Sequence, residues 1–145
     1  MIHARDITDR RKWEEALRES EEKYRLIYDF TGEAIFTYDR NLTLIGVNRK
    51  ACELIGYSEG ELLGKNVLEL NILHPDDHER VAEDIKRLLA GEVVNDELRF
   101  IGKDGSVAVG DVTGAPLYDK EGNVVAFTNV AHDVTERKRE EWRLD

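Results

Sequence analysis

Residues 97–134 read ELRFIGKDGSVAVGDVTGAPLYDKEGNVVAFTNVAHDV, and this stretch decides the fold. Three apolar runs stand in it: Glu97 to Ile101, Val107 to Tyr118 and Val124 to Val134. Between them lie Lys103-Asp104-Gly105 and Asp119-Lys120-Glu121-Gly122. Runs rich in β-branched and aromatic residues, bounded by Asp/Gly turn signals, predict strands joined by tight hairpins. The C-terminal half is therefore an antiparallel meander.

Working upstream, Ala34 to Tyr38 reads as another strand, Asp39-Arg40-Asn41 as a turn, and Leu42 to Val47 as its hairpin partner. Short helices fill the interval before the meander. Asn48 is placed to cap one that covers Ala51, Cys52, Leu54 and Ile55, and Gly56 ends it. Ser58-x-x-Glu61 is a capping-box pattern for another, closed by Gly64. His74-Pro75-Asp76-Asp77 marks a longer helix, with proline at its first position and two acids behind it. Val81, Ile85, Leu88 and Leu89 form its apolar stripe, and Gly91 stops it. The order is helix, two strands, short helices, three strands, helix. That is an α+β fold with one five-stranded antiparallel sheet and helices on one of its faces.

The first helix is expected from Thr8 to Phe30, a span without glycine or proline, with Thr8 as its N-cap. Trp13, Leu17, Ser20, Tyr24 and Ile27 recur at steps of four, three, four, three, which makes a short heptad-like seam. Glu14–Arg18, Glu19–Lys23 and Glu21–Arg25 are spaced to pair along the exposed face. Two readings of the seam stand: an amphipathic helix packed on its own domain, or a helix that packs against a second chain through Trp13, Leu17, Tyr24 and Ile27.

The two ends of the chain resemble one another. Asp6-Ile7-Thr8-Asp9-Arg10 runs into Arg11, Lys12 and Trp13, and Asp133-Val134-Thr135-Glu136-Arg137 runs into Lys138, Arg139 and then Trp142. A segment that recurs one domain-length later suggests a unit of a tandem array. The bulk composition narrows the partners. The 145 residues suit one domain with helical extensions, and 36% are charged with a formal net charge of -10. Such acidity disfavours nucleic acid and anionic membrane surfaces. One cysteine, Cys52, excludes an internal disulfide framework and fits a reducing, cytoplasmic setting. Neither a signal peptide nor an apolar run long enough to span a bilayer is visible, although a parent protein has room for an anchor elsewhere.

Five blocks of sequence now carry a family. Asn48-Arg49-Lys50-Ala51-Cys52-Glu53-Leu54-Ile55-Gly56-Tyr57-Ser58, Glu61-Leu62-Leu63-Gly64-Lys65, His74-Pro75-Asp76-Asp77, Lys103-Asp104-Gly105-Ser106 and Asp133-Val134-Thr135-Glu136-Arg137 together resemble the PAS domain with its C-terminal PAC segment. The resemblance runs from about Tyr24 to Lys138. It implies a sheet half-wrapped around a small pocket. It also implies a sensory or dimerisation role in a signalling protein such as a histidine kinase, a diguanylate cyclase or a chemoreceptor, with neighbouring PAS or effector domains. The chain then divides into a connector and amphipathic helix (1–23), the PAS/PAC domain (24–134) and the start of a signalling helix (135–145).

The family's cofactor positions can be inspected one by one. Flavin-binding light sensors of the family place a reactive cysteine just after the Gly-Lys/Arg-Asn step. Here Gly64-Lys65-Asn66 is followed by Val67. They also carry a glutamine two residues before the Asp of the Asp-x-Thr segment, where this chain has Ala131. Haem-binding members draw a histidine from the long helix at a position that falls near Ala82; His78 stands one turn earlier, at the wrong turn though still open as an axial ligand, so haem is not expected. His74 and His78 do not make a metal site, because no third ligand lies near them in sequence. No cofactor is required by the sequence.

The resemblance, combined with strand alternation, assigns the pocket. Phe127, Asn129, Ala131 and Asp133 share one face of the last strand, and Ala108, Gly110, Val112 and Gly114 share one face of the strand before it. Both faces are expected to look inward. Phe36, Tyr38, Leu98 and Phe100 are the expected large neighbours, and Tyr38 and Asn129 the hydrogen-bonding groups. The small Gly110 and Gly114 leave space either for a ligand or for a helix to approach. Asp133, Thr135 and Arg137 form the junction where strand becomes helix, with the Thr135 hydroxyl expected to accept from free amides of the first turn and Asp133 expected to reach Arg137 or the same amides. No nucleophile elbow, phosphate-cradling loop or metal cluster is present, so a catalytic reading fares poorly. Two functions remain: a ligand-sensing module read out by its flanking helices, and a ligand-free relay and dimerisation module.

Overall fold

The computed structural model describes residues 2–144, with side chains from 8 to 142. The chain falls into two units that meet between Thr31 and Gly32. The first is a single helix, α1 (Ile2–Phe30). It runs past Thr8 without interruption, so Thr8 is not an N-cap. Neither glycine nor proline stands before Thr8 to stop a helix from extending. The division expected near residue 24 therefore falls inside α1. Glu14 pairs with Arg10 at 3.4 Å, one turn earlier than the expected Arg18. Among the described residues, the pairs expected between Glu19 and Lys23 and between Glu21 and Arg25 do not form.

The second unit is built on a five-stranded antiparallel sheet with strand order β2-β1-β5-β4-β3. Its strands are β1 (Ala34–Asp39), β2 (Leu44–Val47), β3 (Val94–Ile101), β4 (Val107–Tyr118) and β5 (Val124–Asp133). The connection between β2 and β3 carries α2 (Arg49–Ile55), α3 (Glu59–Leu62), α4 (Val67–Leu70), a 3₁₀ turn (Pro75–Asp77) and α5 (His78–Leu89). α6 (Thr135–Leu144) follows β5. The first and last strands pair at the centre of the sheet, with Ala34 opposite Ala131 and Tyr38 opposite Phe127.

Several local expectations are corrected. β2 starts at Leu44 rather than Leu42, because the β1–β2 turn is wider than three residues. The Asp39 carboxylate accepts from the amides of Asn41 (2.8 Å) and Thr43 (3.0 Å), and Leu42 takes a left-handed φ of 66°. β3 starts three residues before Glu97, at Val94, and pairs along its whole length with β4. Val67–Leu70, unassigned from sequence, is a helical turn capped by Asn66, whose side chain accepts from the Leu68 amide. The Pro75 start is a 3₁₀ turn before it becomes α5.

The remaining signals match the folded chain. Asn48 caps α2 and Gly56 ends it in the left-handed region, at φ 72°. Ser58 and Glu61 close a reciprocal capping box on α3. Two polar residues hold the helices to the sheet. Asn48 ties α2 to β1, accepting from Ile35 N (3.0 Å) and Ala51 N (2.9 Å) and donating to the Glu33 carbonyl (2.8 Å). Asp77 ties the start of α5 to β3 through Arg99. Around them sits one core, with Phe36, Leu44, Ile55, Leu62, Ile72 and Phe127 almost wholly buried.

Candidate functional site

The helices cover one face of the sheet and enclose a cavity there. Alternation aims Phe36 and Tyr38 from β1, Phe127 and Asn129 from β5, and Val112 and Gly114 from β4 at that face. On β3 the same parity presents Val94, Asp96, Leu98 and Phe100. α5 closes the space with Val81, Asp84, Ile85 and Leu88, which recur at helical spacing. Val67 and Leu73 complete the wall. The cavity measures about 50 Å³. Two ring pairs frame it: Phe36 on Phe100 with centroids 5.9 Å apart, and Tyr38 on Phe127 at 5.3 Å.

Of the seven residues expected at a pocket, Phe36, Tyr38, Leu98, Phe100, Phe127 and Asn129 lie on this wall and Gly110 does not. A Cβ on Gly110 would meet the Phe100 ring at 2.8 Å, so that ring fills the room left by the missing side chain. Gly114 does reach the cavity. A Cβ there would meet Asn129 Oδ1 at 2.7 Å and Leu88 at 3.1 Å, so its small size admits α5.

The polar groups of the wall decide what it can hold. Tyr38 is 6% exposed, and burial pushes its phenol well above the ordinary value. Among the described residues, neither the Tyr38 hydroxyl nor the Asn129 amide has a hydrogen-bond partner. Asp84 is the other notable group. Burial, together with the neighbouring Asp96 carboxyl, pushes it up to about 6 against the weaker pull of Arg87 and Arg80. Asp84 and Asp96 were missed from sequence. Parity would have found Asp96, two residues before Leu98 on the same face, had β3 been started at Val94. Asp84 is an acid inside the apolar stripe between Val81 and Leu88.

A second, wider groove of about 360 Å³ adjoins the cavity, lined by Leu42, Leu68, Asn71, His78 and Ala82. Val67, Leu73, Val81 and Ile85 line both spaces. His78 is exposed there, its Nε2 3.2 Å from the Leu73 carbonyl, and His74 Nδ1 accepts from the Asp76 amide. No cluster of metal-ligating side chains occurs among the described residues. Cys52 is half-buried against the core on α2.

The strand-to-helix junction keeps one part of the expected cap, Asp133 accepting from the first-turn amide of Thr135, and departs from it at the hydroxyl. The Thr135 hydroxyl accepts from Val109 N of β4 (2.9 Å) instead of from an amide of its own helix. It donates in turn to Asp133 Oδ1, which also accepts from Thr135 N at 3.0 Å. The Asp133 carboxylate is thereby occupied, and Arg137 stays exposed without reaching it. Val109 also accepts from Val134 N at 2.8 Å, so one β4 residue grips both sides of the junction. Lys138 adds an ion pair to Glu97 of β3 at 3.1 Å, a contact not read from sequence. In the other unit, Trp13, Leu17, Tyr24 and Ile27 are all exposed along α1, Trp13 by 77%.

The chain is similar to known signalling proteins. A family model described as "PAS fold" matches residues 29–139. A protein described as "Uncharacterized protein y4lL" from Sinorhizobium fredii is 33% identical over 94% of this chain and 16% of its own length. Sporulation kinase E of Bacillus subtilis is 29% identical over 97% of this chain and 18% of its own. The chain thus spans under a fifth of the length of these relatives. Among solved structures, the PAS domain of an HTR-like protein from Haloarcula marismortui superposes with a TM-score of 0.71 at 22% identity, covering 85% of this chain and 98% of that one. The five-strand order, the helices on one face and the matched residues agree, and this chain belongs to the PAS fold family, as a sensory domain of the kind that signalling proteins carry.

Proposed function

We propose that the domain senses a small molecule held between the sheet and α5, and that occupancy is relayed through α6 and α1 to neighbouring PAS or effector domains of a cytoplasmic signalling protein. The supporting observation is the aromatic-framed cavity with two polar groups left open inside it, the Tyr38 hydroxyl and the Asn129 amide. Both groups reach the space inside the cavity and make no hydrogen bond among the described residues, so a pair of open polar groups facing one space favours an occupant. The second reading, a ligand-free relay, is favoured by the small volume of that space and by the way Phe100 and Leu88 fill the room beside Gly110 and Gly114. We read the domain as free of haem and flavin-thiol chemistry. Val67 and Ala131 stand where the thiol and the glutamine would be needed, and His78 lies one turn before the position from which a haem would draw its ligand.

The first test is the absorbance spectrum of the purified domain with mass spectrometry of extracted small molecules, followed by a metabolite thermal-shift screen. A metabolite that raises the melting temperature supports sensing. A colourless, empty and unresponsive domain supports the relay.

Two variants test the readout. Thr135→Val removes the hydroxyl that ties α6 to Val109 N. It is expected to cost about 1 kcal/mol and to broaden the spin-label distance between the β4–β5 turn and α6. An unchanged distribution refutes the relay role of this junction. The homodimer is assigned to the α1 seam. Leu17→Glu puts a charge into that seam and is expected to weaken dimerisation at least about tenfold in sedimentation experiments, with the melting temperature of the second unit unchanged. A mass distribution identical to that of the parent protein removes α1 from the interface.

A further inference from the structure

We propose that the ligand class of the cavity is a small aliphatic ammonium ion, its charge held by the carboxyl pair Asp84 and Asp96 and its chain lying among Phe36, Tyr38 and Phe127. This deepens the sensory reading above and rests on it. The chemistry of the wall supports this class. No lysine, arginine or histidine lines the inner cavity, while two carboxyl groups do. An anionic ligand would have to approach both of them. A neutral apolar ligand would leave the ionised Asp84–Asp96 carboxyl pair without a counter-charge in the cavity.

The cation environment of the pair is asymmetric. Asp96 Oδ2 already meets Arg80 Nε at 3.3 Å. Arg80 is shared further with Asp77 and the Glu97 carbonyl. Arg87, the other nearby cation, pairs with Glu92 at 3.5 Å. Among the described residues, Asp84 has no basic partner within ion-pairing distance. It faces a space where the Tyr38 hydroxyl, on a side chain more than nine-tenths buried, is also unpartnered. A carboxylate without a cation and an unpartnered hydroxyl on a largely buried ring thus look onto one aromatic cavity. By volume, that cavity holds about three to five heavy atoms, which matches a short alkylammonium.

Proton linkage gives the proposal a signature. In the ligand-free domain, burial and Asp96 raise Asp84 above its ordinary value, to about 6. The folded state therefore binds this proton more tightly than the unfolded chain, and stability falls as pH rises toward that value. An ammonium ion competes with the proton for the pair. Its affinity is then fully developed above about pH 6 and falls about tenfold between about pH 7.5 and about pH 5.

The test is titration of the ¹⁵N-labelled domain with propylammonium chloride, with propanol and butyrate as neutral and anionic isosteres. The expected result is amide shifts confined to α5, β3 and the Tyr38 and Asn129 strands for propylammonium alone, the tenfold pH dependence, and loss of binding in Asp84→Asn and Asp96→Asn. Asp84→Asn relieves a desolvated charge, so it is expected to stay folded, and its melting temperature verifies that. Equal shifts with propanol, a response indifferent to pH, binding unaffected by Asp84→Asn, or no response to propylammonium each overturn the ligand class. If the ammonium ion is silent while another metabolite stabilises the domain, the sensory reading stands without this proposal. If the screen and the ammonium titration are both silent, the sensory reading falls with it.

Discussion

Asp77→Ala is expected to destabilise the domain by about 3 kcal/mol in urea unfolding at neutral pH. The carboxylate is 1% exposed and holds four donors: Arg99 N (2.9 Å), Arg99 Nε (3.3 Å), a terminal Arg99 nitrogen (2.9 Å) and a terminal Arg80 nitrogen (2.8 Å). Its removal orphans a backbone amide in mid-strand and leaves the Arg99 guanidinium only Asp76 at 3.9 Å, while Arg80 keeps Asp96 and the Glu97 carbonyl. Both arginines keep contact with water, which places the loss at the lower end of the roughly 3–5 kcal/mol for a broken buried pair. Asp77→Asn keeps one acceptor and loses less.

The effect carries a pH dependence of known sign. Burial works to raise the Asp77 carboxyl, but the Arg99 hydrogen bonds and the two arginine charges outweigh it and hold it below the usual range. Its stabilisation is therefore complete above the ordinary carboxylate value near about 4 and disappears as pH falls through the lowered folded value. The gap between parent and Asp77→Ala should narrow in acid. A gap that stays constant down to strongly acid pH contradicts the electrostatic account.

The second large loss is expected for Asn48→Ala, also about 3 kcal/mol. The cap of α2 contributes about 1 kcal/mol. The freed Ile35 amide contributes about 1 kcal/mol or more when left unpaired inside, and the lost bond to the Glu33 carbonyl about 1 kcal/mol. Asn48→Ser should recover only the cap, because a hydroxyl on a shorter side chain does not span from Ala51 to β1. Hydrogen exchange separates the parts: Ile35 should lose protection in both variants, Ala51 chiefly in the alanine. Full protection at Ile35 in Asn48→Ala would show that another group replaces the asparagine.

The sheet was readable in advance because its signals are local. Alternation and Asp/Gly turns mark β4 and β5, and caps at Asn48, Ser58 and Pro75 mark the helices. The errors arose where a distant partner decides the outcome. Val94, Asn95 and Asp96 look like loop residues, yet β4 supplies them with a full ladder. Thr8 and Thr135 stand in nearly identical pentapeptides, but Thr8 lies inside a continuous helix while Thr135 follows a strand and meets Val109, which redirects its hydroxyl. The cavity followed the same rule. Inward faces could be assigned by parity, which placed Tyr38 and Asn129. Gly110 was misjudged because the Phe100 ring that covers it comes from the neighbouring strand. Asp84 was invisible as a wall group because its meaning depends on Asp96, on another element, and on the absence of a nearby free arginine.

The pairing of Ala34 with Ala131 has a mechanical consequence. The chain enters β1 and leaves β5 at the same end of two adjacent antiparallel strands. A pull applied between those two points would open the rungs in succession, like a zip, and would not shear the ladder all at once. Tension applied through α6 would meet the Val109 clamp on Val134 and Thr135 before it reached the Ala34–Ala131 rung, so the clamp would have to give before the zip could open.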